Sequence, residues 1–314
     1  MEKIKILVLE GGLNEEHEVS LSTGKEVKKA LKNLDINFDS IIVDPSTFER
    51  DIIKFNSDYL CFNALHGPFG EDGQIQKILD KASFKYTHSS AKASHNCFNK
   101  KLTKNIIKDT KLLTPDYLII RSDKINKKLL LNLFTKLGSY IMKPNSSGSS
   151  YGVKIFRDIN DIDIFISNIK DNLDIYKHHK ELLIEKFIEG RELTVVVLQK
   201  NSATVPIEVT EIISKNTFFD YQSKYTLGFS EHILPAKIPH IIYEQCKEFA
   251  KIAHDKICCN GISRADFIYD NNKLYFLELN SQPGLTPISL VPEQLNYQDI
   301  SFDDLIFNII NCAL

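Results

Sequence analysis

Two stretches, RADFIYD at 264–270 and KLYFLELN at 273–280, read as consecutive β-strands. With a period of two along each strand, Arg264 and Asp266 share one face of the first, and Glu278 and Asn280 share one face of the second. Ala265, Phe267, Leu277 and Leu279 fall on the opposite faces. If the connecting loop holds an odd number of residues, such as Asn271 to Lys273, Asp266 stands opposite Glu278 and Arg264 opposite Asn280. A two-residue loop would instead put the two carboxylates on opposite faces. Two carboxylates and an amide oxygen facing one way beside a core suit a hard cation such as Mg²⁺ bridging nucleotide phosphates. The bland alternative is an exposed ion-pair ladder with Arg264. Residues Ser281 to Pro292 follow at once, with three prolines and a glycine that fix an irregular path. Such a loop can aim backbone N–H groups at a developing oxyanion, or serve only as a rigid connection.

Moving towards the N-terminus, Lys143-Pro144-Asn145-Ser146-Ser147-Gly148-Ser149-Ser150-Tyr151-Gly152 lies between two short strands. Small residues let N–H groups converge on phosphate oxygens, and the lysine adds a point charge; a plain flexible turn is the alternative. Neither G-x-x-x-x-G-K-[ST] nor G-x-G-x-x-G occurs, which argues against a P-loop ATPase or a simple dinucleotide oxidoreductase. The first segment, IKILVL at 4–9, reads as a strand buried on both faces. A helix with stripe Val27, Ala30, Leu31 and Leu34 follows, which Ser20 or Ser22 could cap. Strands at Ser40–Val43 and Tyr59–Leu65 and a helix with Ile75, Ile78, Leu79 and Ala82 complete an open doubly wound α/β unit. Ligands of such sheets bind at the carboxyl ends of the strands. Glu15, Glu16 and Glu18 follow the first strand there, where they would attract an ammonium group, and His66 follows the third. From about residue 91 the pattern turns α+β. Short strands are expected at 117–120, 140–142 and 153–156, and a helix at Ile162, Phe165, Ile166 and Ile169. Strands at LLIEKF, ELTVVVLQ and ATVPIEV come next, then helices around Ile242–Ala253 and Phe302–Ile309. Lys124–Lys128 and His178-His179 read as solvated surface.

The chain has 314 residues, 43% of them hydrophobic and 25% charged, which is ample for large cores without disulfide or metal staples. Thirty-nine basic and 41 acidic residues leave a formal charge of −2, so nothing favours a nucleic-acid backbone as partner. Six cysteines without C-x-x-C or zinc-type spacing read as reduced, buried thiols of a cytoplasmic protein. No apolar run is long enough to span a membrane.

In this order, GG..EEHEVS, LHG..GEDG, KP..SGSS.G, IEKFIEGRE, FFDYQSKYT, SRADF and LELNSQPGLTPISLVP resemble the D-alanine:D-alanine ligases of the ATP-grasp superfamily over nearly the whole chain. The resemblance implies an N-terminal substrate-binding α/β domain over 1–90 and an ATP-grasp fold made of a central subdomain, 91–180, and a C-terminal catalytic subdomain, 181–314. It implies ATP as co-substrate, two Mg²⁺ (or Mn²⁺) ions, a D-alanyl-D-alanine product for the peptidoglycan of the cell wall, and a homodimer. Carried over by position, Lys100, Lys143 and Lys224 meet phosphates, and Ser149 and Ser150 lie on the loop closing over them. Glu185, Lys186 and Ile188 read adenine, and Glu192 the ribose. Asp266, Glu278 and Asn280 hold the metal, while Arg264 and the Gly284 N–H stabilise the transferring phosphoryl group and the tetrahedral intermediate. Glu16 takes the first D-alanine ammonium with His66 near its carboxylate, and Ser289 and Leu290 take the second carboxylate. Glu16, Ser149 and Tyr225 form a trio across the cleft, and a lid covers 215–230. Tyr225, where depsipeptide-forming relatives use Phe, implies an amine nucleophile. Three positions depart from the family pattern: Leu13-Asn14, His88 where glycine is frequent, and Leu285 for a common Met. A second substrate such as D-lactate or D-serine stays open, as does a nucleotide-binding regulatory protein without turnover.

Overall fold

The computed structural model describes residues 4–200, 202–214 and 230–314. Its strands are β1 (Lys5–Gly11), β2 (Phe38–Val43), β3 (Tyr59–Asn63), β4 (Lys85–Tyr86), β5 (Tyr117–Arg121), β6 (Tyr140–Pro144) and β7 (Lys154–Phe156). They continue with β8 (Glu181–Lys186), β9 (Arg191–Lys200), β10 (Ala203–Ser214), β11 (Ser230–Ile233), β12 (Ile262–Tyr269) and β13 (Leu274–Asn280). Three sheets result, in the orders β2-β1-β3-β4, β5-β8-β6-β7 and β11-β10-β9-β12-β13. The first is parallel throughout and the other two are antiparallel. The expected division at residue 180 falls just ahead of β8, whose hydrogen bonds go to β5 and β6.

Strand β9 organises the C-terminal half because LTVVVL buries both of its faces. Leu193, Val195 and Val197 join Phe267, Phe276 and the helix His240–Ile257 in one core. Val196 and Leu198 point the other way, into a core shared with Ile6, Val8 and Phe62 of the N-terminal sheet and with the helix Phe302–Asn311. The even-numbered face of β9 therefore runs from a dry core at Leu198 to polar groups at Thr194 and Glu192, and β12 carries Arg264 and Asp266 beside it.

Several local expectations need correction. Ser20 caps nothing: the first helix, His17–Asn33, starts after Glu16, and the Ser20 hydroxyl accepts from Gly11 N and donates to the Ala64 carbonyl, both at 2.8 Å. The helix expected through Ile169 breaks at Asn168 into Ile159–Ser167 and Ile169–Asp174. Residues 281–292 are irregular only as far as Ser289, where the helix Leu290–Tyr297 begins. The sequence pattern does not announce the helices Ala91–Phe98 and Lys127–Leu137. The first has few large apolar residues, and the second starts inside the lysine run taken for bare surface. All six cysteines are unpaired, but Cys258 is exposed.

Two histidines are locked in the interior. His88 bonds Thr87 Oγ1 through Nδ1 at 3.0 Å and packs edge-on against Phe62, and its φ of +69° is the backbone that glycine adopts without strain. That conformation accounts for a glycine preference at this position. Burial pushes the imidazole down to about 3 for His88 and about 4 for His254. Both sit below the ordinary 6.5, so the unfolded chain takes up protons that the folded one refuses as pH falls from about 6.5 towards 4. Stability should therefore drop between pH 7 and pH 5, by on the order of 2 kcal/mol for each group. Urea midpoints at the two pH values check this, and equal midpoints would contradict it.

Candidate functional site

One cleft runs between the central and C-terminal sheets, and its two halves share Lys100, Ser147, Gly148 and Glu278. The larger half, about 980 Å³ of space partly open to solvent, is lined by Lys143, Ser150, Glu185, Lys186, Ile188, Glu192 and Asp266 among others. The second is lined by Glu16, His66, Ser149, Arg264, Asn280 and Gly284. Most of the expected site residues thus meet in one continuous space. Lys224 and Tyr225 lie outside the described residues, as does nearly all of the expected lid. Ser289 and Leu290 line neither half. Ser289 bonds Thr286 Oγ1 at 2.8 Å just behind Gly284, where a Cβ would stand 2.8 Å from its Oγ, and Leu290 is buried against Ile212.

The β12–β13 hairpin faces Asp266 to Glu278 and Arg264 to Asn280. Its loop runs from Asp270 to Lys273, an even number of residues that alone would have separated the carboxylates. A bulge restores the register, because Phe276 pairs with Phe267 and Leu277 has no partner. The bulge also turns Leu277 into the cleft instead of the core. Arg264 grips Asp266 with two bonds, Nε to Oδ1 at 2.9 Å and Nη2 to Oδ2 at 2.7 Å, and Thr194 Oγ1 donates to Oδ1 at 2.6 Å. Lys100 Nζ stands 3.4 Å from Glu278 Oε2, and the Asn280 amide oxygen accepts from Gln282 N at 2.9 Å. Two carboxylates and an amide are hard oxygen donors, which fits a hard divalent cation. Among the described residues no group of three or more Asp, Glu, His or Cys closes on one point.

Lys100 enters from the first turn of the helix Lys100–Ile107, its Nζ donating to the Ser147 carbonyl at 2.7 Å. The loop after β6 holds Ser149 and Ser150 at φ of +47° and +57°, two consecutive left-handed serines of the kind found where a loop is shaped for a ligand. Tyr176 Oη pins the loop by donating to the Gly152 carbonyl at 2.7 Å, and the half-buried His179 ring lies 6.1 Å from that of Tyr151. His179 is therefore not bare surface. Ser149 donates to the buried Glu16, joining this loop to the N-terminal sheet's edge. His66 lies between Thr23 Oγ1, 2.9 Å from Nε2, and Glu71, 3.3 Å from Nδ1. On β8, Glu185 pairs with Lys143 at 2.9 Å and with Lys104. Burial pushes the Glu185 carboxyl up, but the two lysines outweigh it and hold it below its usual range. The Lys186 N–H is spent on the Asp116 carbonyl at 2.8 Å, so that donor is not available to a base edge.

A family model for the D-ala D-ala ligase C-terminus matches residues 106–311. The D-alanine–D-alanine ligase of Wolbachia sp. subsp. Drosophila simulans (strain wRi) is 40% identical, the alignment covering 98% of this chain and 93% of that one. The chain belongs to the D-alanine–D-alanine ligase family. A crystal structure of the Bacillus anthracis D-alanine–D-alanine ligase complexed with ATP superposes with a TM-score of 0.80 at 26% identity, covering 100% of this chain and 97% of that one. The fold, an α/β N-terminal unit followed by the ATP-grasp sheets, is shared at the same TM-score and 22% identity by the VanG D-Ala:D-Ser ligase of Enterococcus faecalis, with full coverage of both chains. No helix among the described residues is long and apolar enough to cross a membrane.

With the family known, three polar side chains that sequence reading passed over gain interest. Asn14, one of the departures, donates to the His66 and Pro68 carbonyls at 2.9 and 3.1 Å and accepts from Glu16 N at 2.8 Å, so it fixes the spacing of Glu16 and His66. Gln282 bonds both Asn63 and the Leu65 carbonyl, tying the end of β3 to the residue beside Asn280. Lys104 is almost fully buried, and its one signal was a place four residues after Lys100 on the same helix face. Leu285, a second departure, is plain core.

Proposed function

We propose that this ligase joins two D-alanine molecules into D-alanyl-D-alanine, consuming ATP and releasing ADP and phosphate, as a step in making the peptidoglycan precursor of the cell wall. The observation that carries the reading is the cleft itself, where Lys100 and Lys143 line the same space as a paired Asp266–Glu278 face while Glu16 and His66 line the far end. In this reading ATP lies in the larger half, its base beside Glu185, Lys186 and Ile188, its ribose at Glu192 and its phosphates at Lys100, Lys143, Ser150 and Lys224. Asp266, Glu278 and Asn280 would hold two Mg²⁺ or Mn²⁺ ions, which when bound supply positive charge between phosphate and carboxylate oxygens.

The remaining work falls to charge and position. Glu16 takes the ammonium of the first D-alanine, and His66 stands by its carboxylate. A carboxylate oxygen attacks the γ-phosphorus, the bond to the β-γ bridging oxygen breaks, and ADP leaves. The second amine, its ammonium proton released to solvent, attacks the acyl phosphate carbonyl and expels phosphate; Ser289 and Leu290, behind the cleft wall, would act on it only through the loop that carries Gly284. Arg264 and the Gly284 N–H neutralise the charge that builds in both steps. Ser149 and Glu16, with Tyr225, tie the loops across the cleft and keep water from the acyl phosphate. The division into 1–90, 91–180 and 181–314 units, a homodimer and a cytoplasmic location belong to the same proposal.

A coupled assay of ADP formation tests it. Release should depend on D-alanine and be negligible with L-alanine. ATP binding without D-alanine-dependent release would instead favour a regulatory protein. Because a D-Ala:D-Ser ligase shares the fold, product analysis with D-serine and D-lactate at neutral and alkaline pH decides the second substrate.

A further inference from the structure

Lys104 lies one layer beneath the cleft, paired with Glu185 of the cleft lining. Both side chains are only 1% exposed, and Lys104 Nζ donates to Glu185 Oε1 while sitting 5.4 Å above the Tyr117 ring. Tyr117 is the cross-strand partner of Glu185 on β5, so the ammonium is caged by two neighbouring strand positions. The other oxygen, Oε2, is different. It lies 2.9 Å from Lys143 Nζ as an ion pair, yet among the described residues it receives no aligned hydrogen bond, although it is fully buried in a side chain that lines the cleft. With Lys143 beside it, a carboxylate oxygen still has a lone pair for a second donor, here one arriving from the cleft.

We propose that Lys104 is a positioning residue for base selectivity: by saturating Oε1 it holds Glu185 as an anion in one orientation, so that Oε2 accepts only from a base carrying an exocyclic amino group. The inference rests on the reading that Glu185 faces the nucleotide base. An anionic acceptor rejects a carbonyl at the same ring position, since two acceptors face each other and neither is satisfied. Removing Lys104 leaves Oε1 unpaired while Lys143 still stands beside the carboxylate, which can then turn towards Lys143 and no longer presents Oε2 in one fixed direction. In that state it discriminates less against a carbonyl.

The test measures kcat and KM of the full chain with ATP and with inosine triphosphate, whose base carries a carbonyl in place of the amino group, for wild type, Glu185→Gln, Lys104→Met and Lys104→Gln. Lys104→Met is expected to raise KM for ATP roughly tenfold with a smaller change in kcat, and to cut the preference for ATP over inosine triphosphate by about tenfold, as Glu185→Gln does. Lys104→Gln keeps an N–H donor at Oε1 and should lose an intermediate share; it also serves if the Met variant does not fold. A wild-type nucleotide preference in both Lys104 variants, with only the melting temperature lowered, would overturn the inference while leaving the base reading intact. An unchanged preference in Glu185→Gln would overturn the base reading itself.

Discussion

Glu278→Gln is expected to lower ligase turnover on the order of 10²-fold or more while leaving the fold intact. Glu278 is about one-third exposed, and its carboxylate meets Lys100 at 3.4 Å, opposite Asp266 on the hairpin. The amide is isosteric but neutral. It keeps one oxygen, loses the charge that a divalent cation requires, and leaves Lys100 without its anion. Because the side chain is at the cleft surface and not in a core, the stability change should stay within about 1 kcal/mol. Coupled ADP release and a thermal melt on the same preparation separate the two effects. Near-normal phosphate release would contradict the assignment.

Arg264→Ala should be more damaging, because it acts on stability and turnover together. The guanidinium makes two parallel bonds to Asp266, and both side chains are close to nine-tenths buried. Deleting it strands a buried carboxylate beside Thr194, a loss of about 3 kcal/mol by the usual cost of an orphaned charge. It also removes the positive charge proposed to meet the transferring phosphoryl group, for a further loss on the order of 10³-fold in kcat. Arg264→Lys keeps the charge without the planar fork, so it should recover much of the stability and little of the rate. Urea midpoints and single-turnover ADP formation measure the two separately. An Arg264→Ala enzyme as active as wild type would rule out the role.

The hairpin illustrates what a single sequence reveals and what it conceals. Alternation along RADFIYD and KLYFLELN puts Asp266 and Glu278 face to face only across an odd loop, and that condition is not met. The loop is even, and the bulge at Leu277 that compensates for it has no signature in the residues themselves. The apolar run at 193–198 announced a strand, and its burial on both faces makes it the hinge between two cores. Little in the sequence marks Lys104, because a lysine's default place is the surface, and only the fold shows β8 delivering Glu185 to it. Asn14 and Gln282 act through contacts between residues 52 and 217 positions apart, which spacing along the chain cannot disclose. The family roles of Ser289 and Leu290 came from resemblance alone, and both stand behind the cleft wall here.

Direct binding of Mn²⁺, followed by electron paramagnetic resonance in the presence of ADP, tests the metal-binding face without relying on turnover. Wild type should bind the ion, and Asp266→Asn and Glu278→Gln should each weaken binding at least tenfold. Equal affinity in all three proteins would mean that this face of the hairpin does not hold the cation, and the mechanism built on it would fall.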